Sequence, residues 1–184
     1  MEKAGESKAV PTQKIRTKRI VQTALLAALT CAATMVLPIP SPTGGYMNPG
    51  DAVVLLGAYL LGPVYGALAA GIGAALADAL AGYMVYVPGT LIIKAVAALT
   101  AALLYRKLKK KGWMVALCGV IGEIPMVAGY WLYDALLLKS FAGSAAGIPG
   151  NLMQAAFGAA VSTLLALSLR KSGYVRREFP NLRP

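Results

Sequence analysis

From Ile20 to Leu169 the chain is a succession of apolar runs broken only by short polar, Pro/Gly-rich or basic segments. Most of these runs approach the ~20 residues that a helix needs to cross the hydrocarbon of a bilayer. Within lipid every backbone N–H and C=O must be paired inside the protein, so only helices and closed barrels cross. Barrel strands alternate in polarity, whereas these runs are continuously apolar, and the expected fold class is an all-α membrane protein. Composition agrees. Charged residues make up 14% of the 184, against about 25% in a soluble domain, too few to cover a water-facing surface.

The first span is expected from about Ile20 to Leu37, ending at the Pro-rich PIPSPTGG. The fourth runs from about Pro88 to Leu104 into the basic RKLKKKG, the fifth from about Trp113 to Leu138, and the sixth from near Pro149 to near Leu169. Between Asp51 and Tyr83 the chain is long for one span and short for two, with Leu-Gly-Pro interrupting it at 61–63. Charge arbitrates. Of the 18 basic residues behind the net charge of +11, six lie up to Arg19, five between Arg106 and Lys111, and five from Arg170 onward. Basic clusters favour the cytoplasmic side, and they share that side only if 51–83 forms two short spans, about Asp51 to Leu61 and Pro63 to Tyr83. The expectation is six transmembrane helices with both termini cytoplasmic in a prokaryotic inner membrane, and loops 38–50, 82–88 and 139–147 outside. A basic tail (1–19) and another (172–184) would flank one substrate-binding domain (20–171). The leading polar segment delays the first apolar run too long for a secretory signal, so the first helix is expected to be retained.

Several classes of function are excluded or weakened. Nucleic-acid binding would place stacking aromatics among the basic residues, and these clusters hold almost none. There is no histidine, and Cys31 and Cys118 sit apart within apolar runs, so neither a metal site nor a disulfide is expected. No cofactor is implied. Zinc chemistry lacks its ligands and serine hydrolysis lacks its GxSxG or Ser-His elements. An intramembrane aspartyl enzyme keeps only Asp78 and Asp134 as a conceivable acid pair, so the chain is not expected to be an enzyme.

Small residues mark close helix contacts. Ala24, Ala28 and Ala32 recur every four residues in the first span and permit close approach, either by the chain's own helices or by a partner membrane protein. In the third span Ala69, Gly73, Ala77 and Ala81 form one row and Ala70, Ala74, Asp78 and Gly82 the next, so neighbours should pack it on both and Asp78 should point into protein. Ionisable groups at this depth are costly and mark a functional site by default. Asp78 and Lys94 lie near the outer ends of their spans; Glu123, Tyr130 and Asp134 share one face of the fifth, and Asn151, Gln154, Gly158 and Ser162 one face of the sixth. The inner half is almost purely apolar. A channel would be lined on both sides; this arrangement describes a cup open outward. Bland readings stand beside it. Asp51 reads as a helix cap, Asp78 and Lys94 as a pair across helices or as ligand contacts, and Asn151 as a cap or a contact. Tyr83, Tyr86 and Tyr133 read as interfacial belt or pocket wall, Trp131 as stacking or lipid-facing. Glu123, with no basic neighbour in sequence, reads as a ligand contact or a protonated structural group.

The segments NPGDAVVLLGAYLLGPVYGALAAGIGAALADALAGY, VPGTLIIKAVAALTAALLY and IPGNLMQAAFG resemble the membrane-embedded S components of energy-coupling factor (ECF) vitamin transporters, in particular the riboflavin-type group, over roughly Ile20 to Leu169. The resemblance implies a six-helix bundle, an outward-facing pocket and a lid formed by the loop between the first two helices, here with Tyr46 and Asn48. It also implies docking of Ala24, Ala28 and Ala32 on a coupling transmembrane subunit, with two cytoplasmic ATPases completing the importer. The residues agree in two respects. No GxxxxGK[ST] loop is present, so the chain cannot itself run on ATP, and polar groups converge toward the outer side. The expected substrate-binding set is Tyr46, Asn48, Asp78, Tyr83, Tyr86, Lys94, Glu123, Tyr130, Asp134, Asn151 and Gln154. Its excess of acids suits a ligand with amino or protonated ring nitrogens, a pyridine- or pyrimidine-type vitamin such as pyridoxine or hydroxymethylpyrimidine, with riboflavin the larger candidate. A stand-alone secondary transporter or channel is the alternative function.

Overall fold

The computed structural model describes residues 12–108 and 111–183. The first eleven residues of the expected amino-terminal tail, Lys109, Lys110 and Pro184 lie outside the described residues. In chain order the elements are α1 (Thr12–Val36), a two-stranded antiparallel hairpin of β1 (Ile39–Pro40) and β2 (Tyr46–Met47), α2 (Asp51–Leu61), α3 (Pro63–Leu80), α4 (Val87–Leu108), α5 (Gly112–Leu138), α6 (Phe141–Ser144), α7 (Ile148–Leu169) and α8 (Gly173–Glu178). Single 3-10 turns follow α6, at Ala145–Gly147, and α8, at Pro180–Leu182.

Four helices (α1, α3, α4, α5) and the continuous Phe141–Leu169 segment are long and apolar enough to cross a membrane. The stretch 51–83 does divide in two. Gly62 takes φ +82°, a conformation that side chains disfavour, and Pro63 opens α3 at its first position. The 11 residues of α2 reach only about 16 Å, roughly half the hydrocarbon thickness. Ten of them are buried, so α2 is enclosed by the long helices and does not stand among them in lipid. Some bounds differ from the expected spans. The first helix continues back to Thr12 because Lys, Arg and Gln are good helix formers and no breaker intervenes. The third stops at Leu80, where Gly82 (φ +86°) turns the chain.

The pattern of α3 explains its place. Val64, Leu68, Ile72, Leu76 and Leu80 are exposed along one face, where lipid solvates them. The opposite face carries Ala69, Ala70, Gly73, Ala74, Ala77 and Asp78, all buried. Close approach is literal here: a Cβ at Gly73 would lie 2.4 Å from the Ala27 carbonyl oxygen of α1, and one at Gly71 2.6 Å from that of Leu91 in α4. Without a hydrophobic drive between helices in lipid, such backbone proximity supplies the packing energy. Below the polar groups, Leu55, Tyr59, Ala98, Ala101, Ala102, Tyr105 and Cys118 form the apolar core, with the Tyr59 and Tyr105 rings stacked at 4.4 Å.

The expected carboxy-terminal tail is folded back against the bundle. Leu182 is fully buried, Asn181 Nδ2 donates to the Leu60 carbonyl at 3.2 Å, and Lys18 of α1 pairs with Glu178 at 2.5 Å. This segment caps the end of α2, where the free carbonyls of its last turn need donors.

Candidate functional site

At the opposite end of the bundle, the chain leaving α1 makes the hairpin and enters α2. Ile39 pairs with Met47 and Pro40 with Tyr46; the turn is closed by Ser41 N–H to the Gly45 carbonyl at 2.9 Å, with Gly44 at φ +94°. A hairpin this short does not hold itself. It is tied instead to α3, to α7 and to the loop between α3 and α4. Tyr46 Oη donates to Asp78 Oδ1 at 2.7 Å, and the Tyr46 ring packs on Tyr83 with centroids 4.5 Å apart. Tyr86 Oη lies 3.2 Å from the Thr43 carbonyl and 3.0 Å from Asp134 Oδ1. The Asn48 backbone N–H donates to Gln154 Oε1 at 2.8 Å.

Beneath the hairpin lies a polar cavity of about 30 Å³, lined by Ser41, Thr43, Gly45, Tyr46, Asn48, Asp78, Tyr86, Thr90, Tyr130, Asp134, Asn151 and Gln154. That is room for no more than a few waters, far below the ~300–1,000 Å³ of a ligand pocket, so a vitamin-sized guest fits only if the hairpin moves. Asp78 Oδ2 is buried and has no hydrogen-bond partner among the described residues, with the Thr90 hydroxyl standing close by. Thr90 also shares a 2.9 Å hydrogen bond with Tyr130 Oη. Burial and the neighbouring carboxylates raise the Tyr46 and Tyr86 phenols above their usual range, burial contributing most. Both stay donors at any ordinary pH.

Of the eleven expected binding residues, eight line this cavity: Tyr46, Asn48, Asp78, Tyr86, Tyr130, Asp134, Asn151 and Gln154. Tyr83 backs it through the Tyr46 ring. Lys94 and Glu123 are not on its wall. Lys94, 2% exposed, pairs with Asp51 at 2.5 Å and stands over the Tyr130 ring at 5.4 Å. This corrects two expectations. The partner of Lys94 is Asp51, not Asp78, because Asp51 opens α2 at the bundle centre, facing α4. Nor does Asp51 cap its helix; Gly50 holds that position and no side chain caps it. Asn151 does not cap α7 either, since the helix begins at Ile148 with Gly147 as cap residue. Glu123, 1% exposed, lies deeper, near Asp51 and Lys94, and neither of its oxygens has a hydrogen-bond partner among the described residues. Trp131 is turned away from the cavity, toward a separate apolar groove between α5 and α7; its Nε1–H donates to the Phe141 carbonyl at 3.3 Å. Tyr133 is half-buried and donates to the Val85 carbonyl at 2.6 Å.

Thr90 was legible in the sequence: it precedes Lys94 by one helical turn on the same face. Ser41 and Thr43 reach the wall only through the hairpin fold, which no local signal announces. Ala24, Ala28 and Ala32 are exposed, while Leu26, Thr30, Cys31 and Thr34 form the buried face of α1. Packing of the chain's own core therefore does not account for the alanine row.

A helical membrane bundle with a lidded polar cavity at one end is the architecture of a membrane-embedded solute receptor. Residues 14–171 match the family described as ECF-type riboflavin transporter, S component. The chain belongs to this family, whose members are substrate-binding subunits of ECF vitamin transporters and pair with a coupling subunit and ATPases. A protein of Pyrococcus woesei, described as an uncharacterized protein in gap 3'region, is 34% identical over 139 residues, which is 75% of this chain and 92% of that one. Two solved structures share the fold. The S component of a bacterial ECF transporter has a TM-score of 0.68 at 22% identity, covering 85% of this chain and 97% of that one. The S component for biotin from an ECF-type ABC transporter has a TM-score of 0.57 at 20% identity, covering 93% and 100%.

Proposed function

We propose that the cavity under the hairpin captures a small pyridine- or pyrimidine-type vitamin or precursor from outside the cell. The observation that carries this reading is the charge on the wall. Asp78 and Asp134 face the cavity, and no lysine or arginine does so among the described residues, because the nearby Lys94 is taken by Asp51. A carboxylate with an unpartnered buried oxygen calls for a donor, and an amino group or protonated ring nitrogen supplies one. Tyr46, Tyr86 and Tyr130 offer faces and hydroxyls to a flat heteroaromatic ring. Riboflavin, larger and without a basic amine, fits this charge less well.

In this reading both termini and the Arg106–Lys111 segment are cytoplasmic. The cavity lies at the end of α4 opposite Arg106 and Lys107, so the positive-inside tendency turns it outward. The exposed row Ala24, Ala28 and Ala32 is the face for the coupling transmembrane subunit, and two cytoplasmic ATPases supply the energy that this chain has no phosphate loop to harvest. Native mass spectrometry of the purified protein, followed by titration calorimetry with an aminopyrimidine, a pyridoxine-type compound and riboflavin, tests the assignment. A co-purifying amino- or pyridine-type ligand, bound most tightly in the titration, is expected; tightest binding of a ligand without a basic nitrogen would overturn it.

A further inference from the structure

One side chain joins the lid to a buried ion pair outside the cavity wall. The Asn48 N–H can only donate, so Gln154 must turn Oε1 toward the hairpin. Its Nε2 is left to donate to Asp51 Oδ2, at 2.5 Å. The other oxygen of Asp51 takes Lys94 Nζ. The row Asn48–Gln154–Asp51–Lys94 thus runs from the lid across α7 to α2 and ends on α4. Gln154, Asp51 and Lys94 are 6%, 1% and 2% exposed, so water does not compete for these bonds. Helix α7 is pressed against Asp51: a Cβ at Gly158 would lie 2.8 Å from the Asp51 Cβ. Between them, Asn48 also accepts the Gly50 N–H at 2.9 Å, stiffening the link that leads directly into Asp51.

A buried ion pair is a poor source of net stability, since desolvation offsets the attraction. Its effect here is directional. With Lys94 on one oxygen, Asp51 stays ionised and presents the other to Gln154, which fixes the amide in the one orientation that can hold the hairpin. We propose that the Asp51–Lys94 pair is the latch of the lid, setting through Gln154 how often the hairpin opens without touching the ligand. Its bearing on uptake rests on the cavity being the substrate site; the opening itself does not.

The test therefore uses no ligand. A cysteine replacing Thr90, 2% exposed on the cavity wall, reacts with a maleimide only when the hairpin is open. Labelling is read by peptide mass spectrometry on the full chain in lipid nanodiscs, with the native, fully buried Cys118 as an internal control. Gln154→Met removes the link. The double change Asp51→Asn with Lys94→Met removes the latch as a charge-neutral exchange, so neither member of the pair is left buried without the other. Both should raise labelling at 90 roughly tenfold, the factor of about one hydrogen bond to a charged group, with Cys118 unchanged. A rise with Gln154→Met alone would show that the ion pair is not the latch. No rise in either, or a parallel rise at Cys118 from general loosening, would equally overturn the proposal.

Discussion

Asp78 and Glu123 are both buried carboxylates in long helices, yet their surroundings differ. Asp78 sits on the cavity wall with one oxygen holding Tyr46 and the other unpartnered; Glu123 lies off the wall, below. Asp78→Asn keeps the shape and removes the charge, so ligand affinity should fall by about 1.5–3 kcal/mol, the range for hydrogen bonds to charged groups, or roughly tenfold to hundredfold in Kd. Glu123→Gln should bind nearly as well as the parent. Calorimetry on both, with melts to confirm folding, checks the pair, and the reverse order of losses would move the site down to Glu123. The tyrosines give a pH prediction. Because Tyr46 and Tyr86 titrate above the usual range when folded, the hydrogen bonds by which they fasten the hairpin are intact below the ordinary tyrosine pKa of about 10. They are lost only as pH climbs beyond it. Ligand dissociation rates should therefore show no step near pH 10 attributable to the lid.

At the scale of the element, α1 is divided lengthwise into a buried face and an exposed one. Its buried face, Leu26, Thr30 and Thr34, packs on the rest of the bundle, and Gly73 of α3 comes so close to Ala27 that no side chain fits between. Its exposed face carries the alanine row. Ala28→Trp should accordingly leave ligand binding by the isolated protein unchanged, since the added volume projects outward. Uptake in cells and recovery of the assembled importer should be abolished, because close helix contacts have no room for an indole. Co-purification with the coupling subunit reads the outcome; an intact complex would take the alanine row out of the interface. The short α2 works differently. It starts at the lid with Asp51 and ends under the carboxy-terminal cap at Leu61, linking both ends of the bundle through the core.

For the molecule as a whole, orientation decides function, since a cup serves an importer only if it opens outward. With cysteines introduced singly, an impermeant maleimide added to intact cells should label position 42, on the exposed hairpin tip, and leave position 111 unlabelled until the membrane is opened. Labelling of 111 but not 42 would invert the topology and with it the assignment of the cavity. The folded carboxy-terminal segment occupies the other end of the bundle. Leu182 is buried against the core and Asn181 meets the Leu60 carbonyl, closing the end that the lid does not reach.

The helical class, the division at Gly62 and most of the cavity-lining residues were legible in the chain itself. Apolar run length, the Gly-Pro break and the spacing of polar residues by three, four or seven are properties of a single helix in lipid, and they need no knowledge of neighbours. Rotation and depth of one helix against another are not local. Whether Lys94 meets Asp78 or Asp51 depends on α2 lying at the bundle centre, where Gly66 of α3 and Gly158 of α7, the latter more than a hundred residues away in sequence, let their helices close on it. Glu123 shares a helix face with Tyr130 and Asp134, yet seven to eleven residues of rise carry it below the cavity floor. The carboxy-terminal segment reads as a charged tail because its anchors, Asn181 and Leu182, find partners only in a core built from other elements. Sequence determined which residues are polar within the membrane and on which face of each helix they stand. Tertiary packing alone decided which of them meet, because ion pairs and hydrogen bonds act over a few ångströms between groups that the chain separates by dozens of residues.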